Sequence, residues 1–154
     1  MRADEIPVAH TPEGGYGDEM PPPVLGACTE PLADGVPDMR GMWRAVSVEW
    51  KDGRARDADP MLDHVERIEQ CGNRVCITSA GIVHDMRADG TLDNGVHDVD
   101  PNGRPVHVVC TFEDGVHVLR PDGMPGVEVT RRLDGDQLVW DYGPLFVARL
   151  ERFT

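Results

Sequence analysis

Turn dipeptides recur along this chain at intervals of roughly ten residues, and that rhythm restricts the fold more than any other feature. Asp52-Gly53, Gly72-Asn73, Asp89-Gly90, Asn102-Gly103, Asp114-Gly115, Asp122-Gly123 and Asp134-Gly135 each tolerate the positive φ of a tight hairpin turn. Between them lie short runs rich in Val, Ile, Thr and aromatic residues, the composition of strands. No helical crossover pattern interrupts them.

The pattern predicts ten strands, at 42–50, 64–70, 74–79, 82–87, 94–99, 105–113, 116–120, 126–133, 136–142 and 145–153. Sheets of this many strands curl or close, because open edges invite aggregation. The expected fold is therefore all-β: a ten-stranded antiparallel up-and-down β-barrel spanning residues 41–154. Only residues 54–63 break the succession of short turns, and Pro60 is placed to open a brief helical turn there.

Residues 1–40 have a different texture. They hold seven of the 13 prolines and eight acidic residues against two basic ones, with almost no apolar periodicity. Such composition points to a disordered acidic arm, either a solvated tail or a segment that engages a protein partner. The whole chain carries 28 Asp and Glu against 15 Lys and Arg, which opposes binding to phosphate backbones and anionic membranes. No nucleic-acid partner and no membrane insertion are expected. The N-terminus shows no secretory pattern, so a cytoplasmic location is expected. Cys28, Cys71, Cys76 and Cys110 are then expected to be reduced thiols.

Turn length fixes register, so the last hairpins can be laid out from sequence. With Asp134-Gly135 at the turn centre, Arg131 faces Leu138 and Val129 faces Trp140. A second turn at Gly143-Pro144 sets Trp140 opposite Val147, Tyr142 opposite Leu145 and Leu138 opposite Arg149. Arg131, Leu138 and Arg149 then form one interior row beside Val129, Trp140 and Tyr142. Two buried guanidiniums need anions; Glu151, two residues past Arg149, supplies one. The other is met by a buried carboxylate, by water, or by the head group of a ligand.

The stretch from Gly103 to Phe153 resembles the C-terminal half of the intracellular fatty-acid-binding proteins, and Gly41-Met42-Trp43 resembles the Gly-x-Trp first strand of calycins. The resemblance implies a barrel in which an interior arginine on the eighth strand and an Arg-x-Tyr pair on the tenth hold a ligand carboxylate. Arg131 and Arg149 match those arginines by position, and Glu151 stands where the tyrosine would be. A carboxylate there neutralises the arginines and repels a fatty-acid head group. The family's two-helix lid is missing as well, because residues 51–63 are too few for it. The resemblance also makes Trp43 a plug at the closed end of the barrel.

His84 and His97 each sit in a Val-His-Asp triplet. A tight Asp89-Gly90 turn would bring them together on one face as diagonal neighbours. No His-x-His or Cys-x-x-Cys pattern supports a metal, and no cofactor is expected. The leading function is binding of a small, largely apolar molecule, acidic or not, by Arg131, Arg149, Glu151, Trp140, Tyr142, Leu138, Val129, His84 and His97. Two alternatives stay open: a lyase or isomerase with a histidine base in the same cavity, and a protein-interaction scaffold whose barrel is filled by side chains.

Overall fold

Each run between turn signals forms a strand. The computed structural model describes residues 1–54, 59 and 61–154. Its strands are β1 (Gly41–Trp50), β2 (Val65–Cys71), β3 (Arg74–Ser79), β4 (Ile82–Arg87), β5 (Val96–Val99), β6 (Pro105–Glu113), β7 (Val116–Pro121), β8 (Val129–Asp134), β9 (Gln137–Tyr142) and β10 (Phe146–Arg152). All ten join one antiparallel sheet, each beside its chain neighbour, with β1 against β10. The sheet curls until β4 and β5, its two edges, approach one another without pairing. The expected helical turn at Pro60 lies outside the described residues. No helix among the described residues is long and apolar enough to cross a membrane.

The interior is set by alternation, corrected by one bulge. Trp43 and Ala45 point inward; a register shift between Ala45 and Ser47 then hands the inner face to Val48 and Trp50. Trp43 is fully buried and donates its indole N–H to the Met39 carbonyl at 2.8 Å.

Register departs from expectation at both final turns, with opposite consequences. The β8–β9 turn is Gly135-Asp136, so Arg131 pairs with Trp140 instead of Leu138. That is a displacement of two residues, and it preserves which face each side chain takes. The β9–β10 connection holds three residues, so Tyr142 pairs with Phe146 and Arg149 with Val139. That displacement of one residue turns β10 over. Phe146, Ala148 and Leu150 fill the core, and Arg149 and Glu151 stand on the outer face.

Asp89-Gly90 is also not a tight turn. Residues 88–95 form a longer connection in which Asp89 bridges to Thr111 and the Gly90 N–H reaches the Cys110 carbonyl at 3.0 Å. His84 and His97 are consequently not neighbours.

The largest correction concerns residues 1–40, which are ordered. They lie across the outer face of β2, β3 and β4, where Ala3, Ile6 and Leu25 bury themselves against Cys71, Cys76 and Val83. Proline-rich backbone lacks donors but keeps its carbonyls, and the sheet supplies arginines to match. Arg67 donates to the carbonyls of Pro21 and Pro22, and Arg74 to those of Ala3, Ile6 and Pro7. Prolines also leave the unfolded arm fewer conformations to lose, so ordering it costs less than its composition suggests.

The arm closes the open seam of the barrel. Thr11 bonds through its hydroxyl to both the N–H and the carbonyl of Val83 on β4, while its own N–H donates to Asp98 on β5 at 2.8 Å. One residue thereby bridges two strands that do not pair. Nearby the arm crosses the β3–β4 turn backbone to backbone, Tyr16 N–H to Gly81 carbonyl at 2.8 Å. A Cβ on Gly15 would lie 2.9 Å from that carbonyl oxygen, so no side chain fits.

Cys28 on the arm and Cys71 on β2 form a disulfide, while Cys76 and Cys110 are free and buried. The expectation of four reduced thiols fails because the docked arm brings Cys28 onto the sheet.

Candidate functional site

Side chains do not fill the barrel. A cavity of about 510 Å³ opens toward the end where Ala80, Asp122 and Met124 sit in the β3–β4 and β7–β8 connections. Its walls are mainly aliphatic, among them Ile77, Ile82, Val108, Leu119 and Val129, which alternation on five different strands aims inward. Trp140, Tyr142, His64, His84 and Arg131 supply the polar and aromatic part.

At the inner wall is a buried ion pair. Glu66 on β2 is completely inaccessible, and its carboxylate accepts from Arg131 Nε at 2.9 Å and from Nη2 at 3.2 Å. His64 Nε2 lies 3.1 Å from the same carboxylate. Arg131 also lies 4.7 Å over the Trp140 ring, a cation–π contact that fixes the guanidinium against the wall. Burial alone would favour the neutral acid, but the charge of Arg131 and the hydrogen bonds from His64 and Arg131 hold Glu66 down at about 2. The pair is ionised and its net charge is zero.

His117 faces inward next to Arg131 in the β7–β8 register, fully buried, with Nε2 3.2 Å from the Cys110 sulfur. Burial, and then the nearby Arg131 charge, lower its pKa to about 3, so it is neutral. Burial pushes the Cys110 thiol up to about 12 and leaves it unreactive. His84 on the cavity wall is lowered in the same way, first by burial and then by Arg131. Among the described residues, the inaccessible Nδ1 atoms of His84 and His117 and the Trp140 Nε1 have no hydrogen-bond partner.

Of the residues expected to form the site, Arg131, Trp140, Tyr142, Val129 and His84 meet at this cavity. Leu138 is fully buried in the core but does not reach the cavity wall. Arg149 is outside, bonded to Asp134 and Gln137 at 3.0 and 3.1 Å, and Glu151 is exposed beside Gln137. The one-residue slip accounts for both. His97 is exposed, its ring tilted against His107 at 4.8 Å and its Nε2 turned to the Leu92 carbonyl. No group of three or more His, Cys, Asp or Glu among the described residues could hold a metal ion.

Sequence reasoning missed Glu66, His64 and His117. A signal existed for Glu66: Ile68 must point into the core, and a residue two positions earlier shares its face. The acid that compensates the interior arginine is thus on the second strand, 65 residues from Arg131, instead of on the tenth.

These features define a nearly closed ten-stranded antiparallel β-barrel with an internal cavity. Solved structures share the fold: zebrafish ileal bile acid-binding protein complexed with cholic acid, at 17% identity, covers 74% of this chain and 98% of its own with a TM-score of 0.56. Human cRBP IV matches at 16% identity over 76% of this chain and 99% of its own, TM-score 0.55. Apo lipid binding protein 8 of Caenorhabditis elegans matches at 15% identity, 77% and 99%, TM-score 0.53. No family model matches the sequence, and no curated protein matches it.

Proposed function

We propose that the protein binds a small, largely apolar molecule inside the barrel. The observation that carries this reading is the unfilled cavity of about 510 Å³, within the range of small-molecule sites and walled by aliphatic and aromatic side chains. A barrel serving only as a scaffold would have its interior packed to core density. The fold neighbours add support, since their names refer to bile acid and lipid binding. For the arm we propose a sealing role at the β4–β5 seam, in place of partner capture.

Thermal unfolding against a panel of apolar alcohols, esters, sterols and acids tests the reading. A member of the panel should raise Tm by mass action, and Leu119→Trp, which fills the cavity from its wall, should abolish the rise while the variant still folds. If nothing shifts the protein, or if Leu119→Trp responds as wild type does, the interior is not a binding site.

A further inference from the structure

Arg131 is the cation that a carboxylate ligand would seek, and it is already engaged. Glu66 occupies Nε and one hydrogen of Nη2. Among the described residues no hydrogen bond uses Nη1, yet the side chain lines the cavity. The guanidinium therefore offers hydrogen-bond donors to the interior without offering uncompensated charge.

The wall also carries His64, which bonds the Glu66 carboxylate, together with His84, His107 and Asp122. Burial and then the Arg131 charge disfavour the protonated form of His84 on the wall and of His117, which is buried beside Arg131. Asp122 at the mouth adds a negative charge. A carboxylate entering this space would lose its hydration, meet a neutral ion pair, and lie near the Glu66 carboxylate. A hydroxyl or carbonyl oxygen would lose far less hydration and could still accept from the guanidinium.

We infer that the ligand is an uncharged amphiphile, an apolar body bearing an alcohol, ester, ketone or aldehyde oxygen that accepts a hydrogen bond from Arg131, and not a fatty acid. This rests on the cavity being the binding site. Glu66 is then a specificity-determining residue, because it sets the charge that Arg131 presents.

The test is displacement of the neutral dye Nile red from the full chain with its disulfide intact. Lauric acid, methyl laurate, lauryl alcohol and dodecane compete at about pH 8, where the free acid is ionised. The ester and alcohol should displace the dye at least about tenfold more tightly than the acid, and more tightly than dodecane. Glu66→Gln should reverse the order of acid and ester by uncovering the Arg131 charge. Where that variant fails to fold, the paired change Arg131→Met with Glu66→Leu should hold the dye but lose the advantage of ester over dodecane. Acid binding to wild type as tightly as ester overturns the inference while leaving the cavity a binding site. Failure of the dye and of every competitor to bind would instead defeat the binding reading itself.

Discussion

Among the described residues two arginines are buried with a carboxylate beside each, and they are finished differently. Arg74, under the arm, uses all five of its N–H donors: Nε and Nη2 on Asp85 at 2.8 and 2.6 Å, Nη1 on the carbonyls of Ala3 and Ile6, and Nη2 again on that of Pro7. Among the described residues Arg131, in the barrel, gives hydrogen bonds only to Glu66 and leaves Nη1 without a partner. A fully saturated buried ion is a structural fastener, since nothing remains for a ligand to satisfy. A partly saturated one on a cavity wall keeps donors for something that is not protein. Charge and burial are alike at the two places, so donor accounting separates the roles.

The comparison breaks first at Arg74. Arg74→Met should strip the arm of its central anchor and leave Asp85 buried beside three orphaned carbonyls, lowering the unfolding free energy by about 3–5 kcal/mol in a denaturant titration. A loss under about 1 kcal/mol would mean that the arm is held elsewhere and that the fastener role is wrong.

Acid should act on the interior pair. Glu66 falls from the ordinary 4.5 to about 2 in the folded protein, so its contribution is full above 4.5 and disappears as pH drops through 2. His117 falls from 6.5 to about 3, so the unfolded chain takes up a proton over that interval and the folded one does not. Both effects weaken the fold on acidification, each by on the order of a few kcal/mol. His117→Asn should flatten the unfolding free energy between pH 6.5 and 3; an unchanged slope there would show that other groups carry it.

The smallest effect is expected at Arg149. Its pair with Asp134 has side chains 41% and 51% exposed, so Arg149→Ala should change stability by less than about 1 kcal/mol and leave dye displacement unaltered. A clear loss of binding would return Arg149 to the site and void the contrast with Arg131.

The strands were legible because turn chemistry is local: Asp-Gly and Asn-Gly announce where a chain can reverse, and alternation assigns the faces. Arg131 was legible by the same means, since an error of two residues in the β8–β9 turn leaves its face unchanged. Arg149 was not, because Gly143-Pro144-Leu145 makes a three-residue loop and a single added residue inverts the following strand. Glu66 was hidden for another reason. Its partner is remote in sequence, and no local rule pairs β2 with β8 across a barrel. The arm misled most, because proline and acid content usually marks chain that cannot bury enough to fold. Its order depends on sheet arginines meeting its carbonyls, and the readable hint was Cys28 standing in a segment otherwise free of cysteine.

The reach of the arm's contacts imposes an order of assembly. Hairpins such as β6–β7 and β8–β9 close loops of a few residues, whereas Ala9 meets Asp85 across 76 positions and Thr11 meets Asp98 across 87. Closing the long loops first would spend chain entropy before any contact repaid it. The meander therefore forms ahead of the strap, and the strap settles onto a face that β2, β3 and β4 have already built. Cys28 and Cys71 then meet late, so oxidation locks an assembled molecule and does not direct its folding.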